Sequence, residues 1–132
     1  MPSNVKLNTT PRIIQVAYSG FVSTDELETC AAKAIAIHLE KNVNEVLIDT
    51  TELESFANFF DIYDRPKHYA EANVSRSLRV AVVSPRSTSA QEFVRFYDNV
   101  CNNRGWTVKQ FQSRDEAVEW LAVNESPSAV DE

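Results

Sequence analysis

From Leu78 to Leu121 the chain reads LRVAVVSPRSTSAQEFVRFYDNVCNNRGWTVKQFQSRDEAVEWL, a succession that predicts strand, helix, strand and helix in that order. Leu78 to Val83 is apolar apart from Arg79, the pattern of a strand buried on both faces of a parallel sheet. Such a strand needs a helix to cover it. Thr88 with Gln91, or Ser89 with Glu92, offers a capping box to start one, and Phe93, Phe96, Val100 and Cys101 recur at helical spacing. Gly105 follows the last of these and supplies a left-handed stop without a Cβ clash. The chain then re-enters a strand over Trp106 to Phe111, and Ser113 with Glu116 opens a final helix carrying Ala117, Trp120 and Leu121.

The earlier chain alternates in the same way. Val5 to Leu7 reads as a short strand, and Thr9, Thr10 and Pro11 turn into a second over Arg12 to Tyr18, ended by Gly20. Ser23 with Glu26 caps a helix that presents Leu27, Cys30, Ala31, Ala34, Ile35 and His38 on one side and runs to about Lys41. Glu45 to Thr50, with contiguous Val46, Leu47 and Ile48, predicts a central parallel strand. Phe56 to Ala72 predicts a helix broken at Pro66, which lacks an amide hydrogen and biases Arg65 away from helical geometry. The expected architecture is a single α/β domain over residues 1–123, built from successive strand-helix units around a mostly parallel sheet of four to five strands. Right-handed crossovers follow from the parallel pairing. The acidic stretch 124–132 has nothing with which to build a core and is expected to be a disordered tail.

Counting residues removes several functions. A net charge of -6 and scattered Lys and Arg argue against nucleic acid, which needs clustered positive charge. No apolar run approaches the roughly 20 residues that span a bilayer, and MPSNVKLNTTPR lacks the apolar centre of a signal peptide, so a cytoplasmic location is expected. The only two glycines, Gly20 and Gly105, each follow an element; no glycine-rich loop can wrap a pyrophosphate, and no serine has the glycines of a nucleophile elbow. His38 and His68 lie far apart, and neither CxxC nor HExxH occurs, so no metal or other cofactor is expected. His38 falls near a helix C-terminus, where a partly protonated ring suits the dipole. Neither histidine has a visible nucleophile or orienting carboxylate, and the reading is non-enzymatic. Cys30 and Cys101 fall among apolar helix neighbours and read as buried thiols.

Gly20 leading into a capped helix, the LID of Leu47 to Asp49, the RVAVVSP strand, the NRGWTVKQF turn and the closing DEAVEWL together resemble the SpoIIAA-like proteins of the wider STAS fold, from about Ile13 to Leu121. The resemblance implies a small soluble bacterial domain, regulatory or of unassigned activity, that acts by binding partners. It also implies a look at one serine, because anti-anti-sigma factors of that fold are switched by phosphorylation within an Asp-Ser-Ser-Gly motif after the strand matching Glu45 to Thr50. Here the region reads DTTELESFANFFD, with Ser55 near that place but without the paired serine or the glycine. Ser55 equally suits an N-cap of the broken helix.

Two groups of residues stand as candidate sites. Ligands on open α/β sheets gather beyond the carboxyl ends of the strands, where Asp49, Thr50 and Thr51 end one predicted strand and Ser84, Arg86, Ser87 and Thr88 follow the next. With Ser55 these form a candidate anion or phosphorylation region, set against ordinary capping and turn chemistry. The second group is aromatic: Phe56, Phe59, Phe60, Tyr63 and Tyr69. The first four, at i, i+3, i+4 and i+7, predict one core-facing helical stripe, while five rings beside a proline break also suit a groove or an interface. The functional expectation is a non-catalytic binding or regulatory domain with a protein partner or a homodimer mate. The alternative is a carrier or sensor of a small hydrophobic or lipid-like ligand.

Overall fold

The apolar runs form the sheet they predict in a computed structural model that describes residues 3–123; the expected tail at 124–132 lies outside the described residues. Five strands lie in chain order across one sheet: β1 (Asn4–Thr9), β2 (Arg12–Val22), β3 (Glu45–Phe56), β4 (Arg79–Val83) and β5 (Thr107–Phe111). β1 is antiparallel to β2, and the remaining pairs are parallel. The helices are α1 (Thr24–Lys41), α2 (Phe59–Tyr63), α3 (Arg65–Glu71), α4 (Thr88–Asn103) and α5 (Arg114–Val123). Because each parallel strand adds on the same side of the last, crossovers of one hand leave all their helices on one face. The packing agrees: α1 through Leu27 and Cys30, and α4 through Phe93, Val94, Tyr97 and Cys101, share the main core with Ile14, Val16, Val46, Val80 and Val82. The opposite face is covered by α5, whose Ala117 and Leu121 pack on Ile13, Leu47, Ala81 and Val83.

Strand alternation explains this division. In β3, Val46 and Leu47 are both buried but belong to opposite cores, as neighbours on a strand must. Arg79, the polar exception in its strand, donates to the Trp120 and Leu121 carbonyls at 3.3 and 2.9 Å and pairs with Glu45 at 3.1 Å. It ties α5 to the sheet.

Two strands run further than the sequence predicts. β2 does not end at Gly20 but continues to Val22, and β3 continues past Thr50 to Phe56 alongside it. Gly20 adopts φ +67, and the pairing with β3 shifts register between Ala17 and Ser19 and again between Gly20 and Phe21. A Cβ at Gly20 would meet nothing within 4 Å, so the backbone conformation and not space selects glycine. The extra residues on β3 change which side chains face inward: Val46 is followed two and four positions later by Ile48 and Thr50, but the next main-core residues are Leu53 and Phe56.

The caps also move. Ser23 and Ser113 accept from the amides of Glu26 (3.1 Å) and Glu116 (3.2 Å) as expected. α4 is instead capped by Ser87, which holds an extended ψ of 133 and accepts from Ala90 N, so neither Thr88 nor Ser89 takes that role. Ser55 caps nothing. It lies in β3 and donates to the Phe56 carbonyl at 2.8 Å, while Asn58 caps α2 by accepting from Asp61 N at 2.9 Å. The helix break falls at Asp64, directly before α3, where Pro66 sits in a first turn that has no partner for its missing N–H. His38 is buried, bonding the Val43 carbonyl through Nδ1 (2.8 Å) and accepting the Ser75 amide at Nε2 (3.1 Å). A ring that donates at one nitrogen and accepts at the other is neutral, so the protonated, dipole-facing imidazole is corrected.

Candidate functional site

The four rings expected as one helical stripe, Phe56, Phe59, Phe60 and Tyr63, do not form one. Phe56 ends β3, is 8% exposed, and packs edge-on against Tyr18 and Phe93 with centroids 5.3 and 5.7 Å away. Only the next three belong to α2, a helix too short to hide them. Phe59, 42% exposed, stacks on Phe93 at 4.2 Å and meets Phe96 edge-on at 5.2 Å. Tyr63 lies over Phe96 at 6.5 Å beneath the Arg104 guanidinium, and Phe60 points outward, 79% exposed. Tyr69, on α3, turns inward to Trp106 (5.6 Å) and to the Tyr97 hydroxyl (2.8 Å). One further ring escaped the sequence reading: Phe21, 82% exposed near the end of β2, level in register with Ser55. Ending the strand at Gly20 hid it.

The proposed anion region is brought together, but its polar groups satisfy one another. Asp49, Thr50 and Thr51 lie inside β3 and do not end it, because the strand overruns them. Thr50 is buried and donates to the Val83 carbonyl at 2.5 Å, and Asp49 accepts from both the amide and the hydroxyl of Thr51. The Arg86 guanidinium pairs with Glu52 at 2.8 Å, Ser84 Oγ reaches Gln110 at 3.3 Å, and Ser87 is the cap of α4. Thr88 opens that helix in solvent. Turn and capping chemistry accounts for these contacts, and the Asp49 carboxylate, bonded to Thr51, opposes an anion.

The main core holds a partly open cavity of about 80 Å³ between the sheet and the helices. Val16, Val46, Val80, Val82, Ile35 and Val94 give it apolar walls. Its polar lining comes from Tyr18, Tyr69, Tyr97, Thr50, His38 and Arg65. Arg65 is 3% exposed yet charged, and the structure provides for it: Nε donates to the Asp61 carbonyl at 3.2 Å, and Nη2 meets Glu28 at 2.8 Å and His68 Nδ1 at 2.5 Å. Burial pushes all three phenols well above the usual tyrosine range. Burial likewise lifts the Cys101 thiol to about 12. The phenols are therefore kept as donors, in surroundings that resist negative charge. Cys30 and Cys101 are both free and buried. Of the cavity's polar residues only Tyr69 and Thr50 stood among the sequence candidates; Tyr18 and Tyr97 sit at ordinary core positions of β2 and α4, and nothing but their hydroxyls distinguishes them in the sequence.

Comparison with known proteins agrees with this architecture. The model of the SpoIIAA-like family matches residues 13–122. Among solved structures, an uncharacterized protein of the DUF3478 family with a SpoIIAA-like fold, from Shewanella loihica PV-4, is similar at a TM-score of 0.59 and 16% identity, over 90% of this chain and 91% of that one. At that identity the likeness shows the fold alone. No curated protein matches the chain. Among the described residues no helix is long and apolar enough to cross a membrane.

Proposed function

Since the chain belongs to the SpoIIAA-like family, we propose that it is a non-catalytic binding domain that acts through protein contacts. The observation that carries this reading is Phe60, 79% exposed on α2 immediately after the carboxyl end of β3, with Phe59 and Tyr63 half-exposed beside it. Grouped exposed aromatic rings are costly to leave in water and are characteristic of interaction surfaces. The polar groups nearby are engaged in caps and ion pairs, which supports a surface for contact over one for chemistry. A photocrosslinking residue in place of Phe60, expressed in the native host, is expected to trap a discrete protein adduct. The same residue in place of Glu92, exposed on α4, is the control. Equal adducts at both positions, or none at either, refute the reading.

A second reading is favoured by the cavity. A space of about 80 Å³ with mostly apolar walls suits a carrier or sensor of a small apolar ligand.

A further inference from the structure

The cavity has a polar end, and that end is short of acceptors. Tyr18 is 6% exposed, lines the space, and packs against Phe56, but among the described residues its hydroxyl has no hydrogen-bond partner. Every other cavity hydroxyl is bonded: Thr50 to Val83 O, and Tyr69 and Tyr97 to each other. Arg65 lines the same space with Nε and Nη2 already engaged by Asp61, Glu28 and His68. Tyr18, Tyr69 and Arg65 all line this one cavity. A hydroxyl that meets the cavity without a partner is free to donate to an incoming acceptor.

We infer that the cavity takes a small, neutral, mostly apolar molecule bearing one carbonyl-type acceptor, received by the Tyr18 hydroxyl with its hydrocarbon part against Val46, Val80 and Val94. Size limits the ligand. An apolar cavity of about 150 Å³ holds benzene, so about 80 Å³ holds on the order of three to four heavy atoms. Charge limits it as well. Arg65 is already neutralised by Glu28, so a carboxylate would bring a second negative charge into a site whose burial penalises anions. A neutral carbonyl uses the free donor without that penalty.

The inference rests on the carrier reading and is independent of the protein-contact surface. Its test uses three molecules of nearly equal size, titrated into the full chain and followed by amide chemical shifts: acetone, its hydrocarbon isostere isobutene, and acetate. Acetone is expected to bind about fivefold more tightly than isobutene, the worth of one net hydrogen bond, with acetate weaker than both. Tyr18→Phe should abolish the preference for acetone and leave isobutene affinity unchanged. That variant removes a hydroxyl with no partner, so its melting temperature should not fall. Binding of isobutene without an acetone advantage overturns the acceptor inference while sparing the carrier reading. Binding of none of the three overturns both, and a preference that survives in Tyr18→Phe assigns the acceptor elsewhere and overturns the role of Tyr18.

Discussion

Asn58 accepts the Asp61 amide at 2.9 Å, while Ser55, three positions earlier, donates to the carbonyl of Phe56 from within β3. Both residue types favour helix starts, but only Asn58 has the extended backbone just before α2 that lets a side chain reach back to an orphan amide. Asn58→Ala should therefore cost about 1 kcal/mol, and Ser55→Ala no more than about 0.5 kcal/mol. Urea denaturation of the two variants checks this; a larger loss at Ser55 would mean that its hydroxyl holds more than a neighbouring carbonyl. The residue that sequence reasoning passed over is Arg65. Its proximity to Pro66 marked a helix break, yet nothing local announces that its guanidinium is buried against Glu28, 37 positions away. Contacts at that separation are set by the path of the chain, which residue patterns report only indirectly.

At the scale of elements, the sequence was most legible where a pattern could be satisfied in one way only. The contiguous run in β4 is buried on both faces, and α1 ends at Lys41 as its periodicity predicts. Legibility failed where two periodicities meet. Phe56, Phe59, Phe60 and Tyr63 fit a helix stripe, but the first belongs to a strand lengthened by pairing with β2, and the spacing cannot reveal that junction. The consequence is measurable. Phe56→Ala removes a core ring held between Tyr18 and Phe93 and should destabilise by about 3–5 kcal/mol, whereas Phe60→Ala should change stability by no more than about 0.5 kcal/mol. Phe59→Ala should fall between, since the ring is stacked on Phe93 yet partly open to solvent. Equal losses at Phe56 and Phe60 would restore the single buried stripe.

For the whole molecule, the sheet separates a large core that holds buried phenols and thiols from a small, wholly apolar one under α5. The family resemblance and the α/β alternation made this layered plan readable, but not the gathering of Tyr18, Tyr69, Tyr97 and Cys101 in one layer, which depends on how far each helix reaches across the sheet. That gathering gives the fold a pH dependence with a definite direction. Below about pH 8 these groups hold their protons in both folded and unfolded chains, so they contribute no difference. Above it the unfolded chain releases protons first, because burial raises Cys101 from 9.0 to about 12 and raises the three phenols above 10.0. The folded state then carries more protons than the unfolded one, and stability falls as pH rises, by up to about 1.4 kcal/mol per pH unit for each group inside its window. Urea midpoints measured upward from neutral pH should stay level with respect to these groups until about pH 8 and then decline with increasing slope as the phenols join the thiols. Cys101→Ala removes one of the two thiols that contribute earliest, Cys30 being the other, and should lessen the first part of the decline while lowering stability at neutral pH through the cavity it opens. A wild-type midpoint that holds constant through about pH 11 would show that the thiol and phenols titrate alike in both states, contrary to their burial together in the main core.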